Sequence, residues 1–217
     1  MDLHPRTVGS LTTTPESHAW FRAVHPRHYA TALNASQTMW WPSRFNAGRR
    51  ALSPFATLYL AENQQVALFE VQALFGTPAR VVPNPVNPWV VFGVTVSLTR
   101  VADLTVAPSI RLLRTSAQEL TGDWRGYRIR RPPGRPRGRA PTQKLGQALY
   151  DSGQFEGFRT LSARVTGAMI LVIFPSRLRS GSFVEFSDPA GARTYRIDDT
   201  WTPESEQQAI KDAGFTP

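Results

Sequence analysis

The chain of 217 residues contains no cysteine. That excludes a disulfide framework, a thiolate zinc cluster and a thiol nucleophile, and it fits a reducing compartment. Long apolar runs are missing as well. The longest, "AMILVIF" over 168–174, is far short of the roughly 20 residues a membrane-spanning helix needs. It reads as a buried strand. The opening "MDLHPRTVGSLTTTPE" has no apolar centre and does not read as a secretory signal. Neither G-x-G-x-x-G nor G-x-x-x-x-G-K-[ST] occurs, so the two standard phosphate loops are not expected. Histidine is sparse. His25 and His28 are three residues apart, but no third ligand accompanies them, and no metal site is expected. Ser162 has no nucleophile-elbow pattern around it, which argues against a serine-hydrolase triad. The expectation is a cytoplasmic protein with no membrane or metal requirement.

Acidic residues are outnumbered, and the net charge is +9. The excess is local. The segment "WRGYRIRRPPGRPRGRAPTQK", 124–144, holds seven Arg and one Lys without an acid, so +8 of the +9 sits there and +1 remains for the rest. A basic Pro/Gly-rich loop of this kind reads first as a solvated insertion. It can also attract an anionic co-substrate or an acidic partner surface. Nucleic-acid binding through this loop is an alternative of another class. However, only Trp124 and Tyr127 are close enough in sequence to stack, a poor recognition module.

Hydropathy places a flexible lead-in over 1–16, a domain over 17–200 and a tail over 201–217, with a helix from Pro203 to Ala213. Strands are expected at 18–24, 55–61 and 89–98, and at "FEGFRTLSARV", "AMILVIF", "SFVEFS" and "RTYRID". Helices are expected over 62–75, ending at Gly76-Thr77-Pro78, over 107–120, and over 140–153 with Thr142 near the N-cap. Mixed strand and helix, followed by an all-strand second half, points to a single α+β domain.

Residues 20–70 concentrate the chemically useful side chains. Glu70 falls among Val66, Phe69, Ala73 and Leu74 on the apolar face of the expected 62–75 helix, where a carboxylate is costly unless paired or hydrogen-bonded. It could serve as the partner of a structural Arg. Arg22 could be a solvated strand residue, Arg44 a rim residue and Tyr59 ordinary strand packing. The pair Trp40-Trp41 reads as core or pocket wall. Taken together, Arg22, Arg44, Asn46, Tyr59 and Glu70 suit a ligand with a diphosphate and a sugar. Guanidinium binds phosphate in a fork, a Tyr ring stacks on a planar cation, and a carboxylate stabilises an oxocarbenium-like ribose. A nicotinamide dinucleotide has all these parts.

The motif order then resembles the RES-domain family, named for Arg, Glu and Ser. The matching pieces are "WFRAV", "PSRFNAGRR", "ATLYLAENQQVALFEV" with its Glu eleven residues after the Tyr, "APTQKLGQALYDSGQFEGFRTLSARV" and "AMILVIFPSRL". They span roughly residues 18–178. The resemblance implies an ADP-ribosyltransferase-like fold, a split antiparallel β-core with flanking helices. It implies NAD+ as substrate, cleaved at the nicotinamide–ribose bond by phosphorolysis or hydrolysis. Phosphate is the expected co-substrate, no further cofactor is needed, and protein ADP-ribosylation is the alternative. It also implies a toxin paired with a small helical DNA-binding antitoxin that plugs the active site. Position by position, Arg22 and Arg44 are expected at the diphosphate, Tyr59 at the nicotinamide, Glu70 as the catalytic carboxylate and Ser162 at the bound nucleotide. Asn46 accompanies Arg44 in the binding loop. Two departures stand out: Ser43 where the pattern has Gly, and an expanded basic segment at 130–139.

Overall fold

The computed structural model describes residues 1–51, 53–128, 138–188 and 194–212. In chain order these form α1 (Pro5–Gly9), β1 (Thr13–Glu16), β2 (Ala19–Val24), β3 (Leu58–Ala61), α2 (Gln64–Glu70), β4 (Leu74–Thr77), β5 (Arg80–Pro83), β6 (Val90–Asp103), α3 (Ala107–Leu112), α4 (Ala117–Thr121), α5 (Pro141–Asp151), β7 (Gly157–Leu161), β8 (Met169–Ile173), β9 (Phe183–Ser187), β10 (Thr194–Asp198) and α6 (Pro203–Asp212).

β6 is the spine. Phe92, Val94, Val96 and Leu98 are buried while Gly93 and Thr95 between them are exposed, the period-2 signature of a strand with one face in the core. From Val101 to Asp103 every side chain is buried, because both faces are covered there. β1 and β2 both pair antiparallel with β6, Glu16 opposite Leu98 and Ala19 opposite Thr95, and the β1 register shifts between Thr14 and Glu16. On its other edge β6 holds β9 at Thr95–Ser97 and then β7 at Val101–Asp103. β7 pairs with β8, β8 with β3 and β3 with β2, so these four strands and β6 close on themselves. The β6–β7 pairing is parallel and the other pairings are antiparallel. The expected α+β class with a strand core and flanking helices is what the chain adopts.

The weakest seam lies between β2 and β3, which share a single pair, Phe21 opposite Ala61. Beyond it the strands part. The backbone carbonyl of Tyr59, left without a ladder partner from β2, accepts a hydrogen bond from Nη1 of Arg22 at 3.0 Å. This is where the sheet splits.

β8 separates two cores. Leu171 and Ile173 pack with Trp20, Leu58, Leu60, Val94 and Val184. Ile170 and Val172 pack with Phe45, Phe158 and the buried Leu145 and Leu149 of α5. A third cluster holds α2 against the sheet through Val66, Ala67, Phe69, Ala23 and Ala61.

Several local expectations are corrected. The helix expected over 62–75 stops at Glu70. Gln72 adopts a left-handed φ of 61°, and the amides of Gln72 and Ala73 donate to the carbonyls of Phe69 and Leu68. That is a Schellman ending with Gln in the position usually held by Gly. Residues 74–83 then form the β4–β5 hairpin. The same device breaks the expected 107–120 helix. Arg114 has φ 48°, the amide of Thr115 donates to Ile110, and Ser116 caps a new helix at Glu119 N. Residues 1–16 do not form a flexible lead-in. Val8 and Leu11 are in the core, and β1 is paired along β6. The N-cap of α5 is Ala140, whose amide donates to the Gln143 side chain, and not Thr142. In the tail, α6 runs to Asp212, the last described residue. Glu206 docks it by accepting from the amides of Ala35 and Ser36 at 2.9 and 2.7 Å. The expected helix end at Ala213 and most of the basic 130–139 segment lie outside the described residues. Among the described residues no helix is long and apolar enough to cross a membrane.

Candidate functional site

The split between β2 and β3 opens into a cleft of about 570 Å³, within the usual range for small-molecule sites. Arg22, Arg44, Tyr59 and Glu70 line it together with Arg164 and the segment 121–125. Each reaches it for a local reason.

Strand alternation puts Leu58 and Leu60 into one core and turns Tyr59 to the opposite face. The Tyr59 hydroxyl lies 2.7 Å from Ser43 Oγ and accepts from the amide of Phe45 at 3.1 Å. Its polar end is therefore committed to the loop that carries Arg44, while its ring lines the cleft. Burial pushes its pKa up, against the hydrogen bonds from Ser43 and Phe45, so the phenol stays neutral. Ser43, the departure from the family Gly, has no left-handed φ, and its hydroxyl supplies one of these ties.

Arg44 is 6% exposed. Its guanidinium lies over the Phe45 ring at 5.0 Å, and Nη1 has no hydrogen-bond partner among the described residues. Burial lowers its pKa, and the nearby Glu70 carboxylate opposes that shift. Arg22 is half-buried, and its Nε is likewise unpartnered. Burial lowers its pKa to about 10, with the charge of Glu206 acting the other way, so it remains a cation at neutral pH. Neither arginine forms an ion pair with a carboxylate among the described residues. One buried and one half-buried cation, neither ion-paired to a carboxylate among the described residues, make an anion site.

Glu70 is the last residue of α2. The negative end of the helix dipole disfavours a carboxylate there, so helix stability does not explain it. Its partner is Ser162, whose Oγ donates to Oε1 at 2.5 Å. Ser162 is held in turn by accepting from the amides of Arg164 and Val165 at 3.1 and 3.0 Å. The apolar stripe expected around Glu70 is real only in part. Val66 and Phe69 are core residues, whereas Leu74 has left the helix for β4.

Two expected ligand contacts are placed differently. Asn46 is fully buried and does not line the cleft. Its Nδ2 donates to the carbonyls of Thr38 and Phe55, and its Oδ1 accepts from Gly48. It is a brace for the loop. Ser162 is buried behind Glu70, with its hydroxyl spent on that carboxylate and not on the cleft. Trp40 and Trp41, read as core or wall, are 61% and 73% exposed and outside the cleft.

The sequence reading missed the residues that hold the loop and those that form the outer wall. Gln143 Nε2 donates to the carbonyl of Ser43 at 2.9 Å. Gly146 lets α5 pass against Phe45, where a Cβ would fall 1.9 Å from the Phe45 carbonyl oxygen. The Pro-Thr-Gln element was visible, and this support is its function. In the wall at 121–125, Trp124 was weighed only as a stacking residue for nucleic acid and Arg125 only as part of the basic segment, and neither was expected at the cleft.

Comparisons with known proteins bear on the fold and the family. A chain of the crystal structure of the M. tuberculosis MbcT–MbcA toxin–antitoxin complex superimposes with a TM-score of 0.58 at 19% sequence identity, over 97% of this chain and all of that one. At that identity the likeness is one of fold. A direct comparison with curated proteins finds no match. The RES domain model matches residues 19–212, and with nearly the whole fold inside that match the chain belongs to the RES-domain family.

Proposed function

We propose that the chain degrades NAD+ by breaking the bond between nicotinamide and ribose. The observation that carries this reading is the convergence of Arg22, Arg44, Tyr59 and Glu70 on one cleft. Arg22 and Arg44 grip the diphosphate as forked donors. The Tyr59 ring faces the nicotinamide, since its hydroxyl is tied back to the Arg44 loop. Glu70, oriented by Ser162, stabilises the positive charge that develops on the ribose as the C–N bond breaks. The bonding pair leaves with nicotinamide, which departs neutral and needs neither protonation nor a metal. A phosphate oxygen then bonds to the ribose carbon, giving ADP-ribose 1″-phosphate. Water as acceptor gives ADP-ribose and releases a proton. Phosphate is the favoured acceptor because the cleft carries Arg164 in addition to Arg22 and Arg44.

The role that fits this chemistry is that of a cytoplasmic toxin held in check by an antitoxin, and the MbcT–MbcA neighbour is a toxin–antitoxin complex. The deciding experiment incubates the purified chain with NAD+, with and without phosphate, and measures nicotinamide and the ribosyl product. Release that matches a Glu70→Gln variant would sink the reading. Phosphate-independent release yielding only ADP-ribose would reassign the acceptor to water. Co-expression with the product of an adjacent reading frame, scored by growth, tests the antitoxin.

A further inference from the structure

Three aromatic side chains line the cleft: Phe21, Tyr59 and Trp124. Phe21 packs against the α2 cluster, and Tyr59 against the α5 cluster. Trp124 belongs to none of the three core clusters, although it is half-buried. A Trp buries a large apolar area when it serves a core, and here that area borders a ligand-sized cleft instead. Its position is fixed from the backbone. The Asp123 carboxylate accepts from the amides of Arg125 and Gly126, both at 3.0 Å, and the Arg125 guanidinium lies over the indole at 5.2 Å. Arg125 is exposed and also lines the cleft. The wall therefore pairs a flat apolar surface with a cation, on a segment separate from the strands and helix that carry Arg22, Tyr59 and Glu70.

We propose that Trp124 is the stacking platform for the purine base of the dinucleotide, with Arg125 beside it for a phosphate. This rests on the reading of the cleft as a dinucleotide site and names what holds the half of the substrate remote from the broken bond. Indole is a strong, base-tolerant stacking surface, and one base stacked on an aromatic side chain accounts for about a five- to hundredfold change in affinity. Trp124 makes the site select nucleotides that carry a base over base-free phosphates.

The test is calorimetric titration of the full chain with ADP and, separately, with pyrophosphate. Wild type is compared with Trp124→Ala, Trp124→Phe and Trp41→Ala, each checked for an unchanged melting temperature. Trp124→Ala is expected to weaken ADP about tenfold or more and leave pyrophosphate unchanged. Trp124→Phe should retain most of the ADP affinity, and Trp41→Ala, outside the cleft, all of it. Equal ADP affinity in wild type and Trp124→Ala, an equal loss for both ligands, or no ADP binding by wild type would each overturn the platform. Nicotinamide release is scored separately. ADP binding lost in Trp124→Ala, in a wild-type chain that releases no nicotinamide, would retire the cleavage reading and leave the platform standing.

Discussion

Ser162 and Glu70 are 92 positions apart in sequence, yet the Ser162 hydroxyl donates to Glu70 Oε1 at 2.5 Å. Two backbone amides donate to the same hydroxyl, so its remaining proton is directed at the carboxylate. The serine therefore sets where the negative charge sits. Glu70→Gln is expected to remove nicotinamide release, lowering kcat by about a thousandfold or more with a smaller change in KM. Ser162→Ala should lower kcat about ten- to hundredfold, the equivalent of one charge-assisted hydrogen bond, and Ser162→Thr should recover part of it. A KM effect without a kcat effect in Ser162→Ala would place the serine on the nucleotide instead.

Arg22 and Arg44 differ in what else they do. Arg22 already spends Nη1 on the Tyr59 carbonyl at the split between strands, whereas the Arg44 guanidinium stacks on Phe45 and its Nη1 has no hydrogen-bond partner among the described residues. Arg44→Lys should therefore keep the melting temperature and lower kcat/KM about ten- to hundredfold, because an ammonium cannot replace the fork. Arg22→Lys should lower both activity and stability, since the Tyr59 carbonyl also loses its donor. The comparison is read from steady-state kinetics with NAD+ alongside thermal melting. An equal stability loss in the two variants would contradict the assignment.

Asn46 and Gly146 shape the Arg44 loop without touching the cleft. Asn46→Ala removes three hydrogen bonds to backbone groups, two of them buried, and is expected to cost about 2–4 kcal/mol of stability by denaturant unfolding. Gly146→Ala places a methyl 1.9 Å from the Phe45 carbonyl oxygen, which forces α5 off the loop. It should cost at least about 1–3 kcal/mol and reduce NAD+ affinity with it. An Asn46→Ala variant of unchanged stability and lost NAD+ binding would restore Asn46 as a ligand contact.

Much of this was legible in the sequence, for reasons that differ by residue. β6 and β8 were readable because burial imposes a period of two on one and an unbroken apolar run on the other. Arg22, Arg44, Tyr59 and Glu70 were readable as a set, since semi-buried charges have few uses. The helix ends at Gln72 and Arg114 were not, because the left-handed position that usually calls for Gly is held there by residues with side chains. The hairpin after α2 was hidden for the same reason, as its apolar residues continue a helical spacing that the backbone has already abandoned. The Ser162–Glu70 bond was also beyond the sequence. Both residues were singled out, but only the fold, which packs the turn after β7 against α2 through Val165 and Ala168, shows that one serves the other.

Away from the cleft, Glu156 makes the fold sensitive to acid. It is fully buried, and Oε2 accepts from the amides of Thr99 and Arg100 and the Thr99 hydroxyl, while Oε1 accepts from the Arg179 amide. Burial alone would raise its pKa, yet the nearby Ser182 hydroxyl and the hydrogen bonds from Arg100, Arg179 and Thr99 outweigh it, and the folded value lies below the ordinary 4.5. A carboxylate depressed in the folded state contributes stability that is fully present above its unfolded pKa. The contribution is lost as pH falls through the folded value. The melting temperature should therefore hold from neutral pH down to the ordinary carboxylate range and drop below it. Glu156→Gln keeps the shape but turns one acceptor into a donor facing backbone amides. It should cost about 2–3 kcal/mol at pH 7, and the gap from wild type should narrow as pH falls through the carboxylate range. Melting curves of the two proteins across that range check the prediction, and a gap that stays constant with pH would show that Glu156 is not the titrating group.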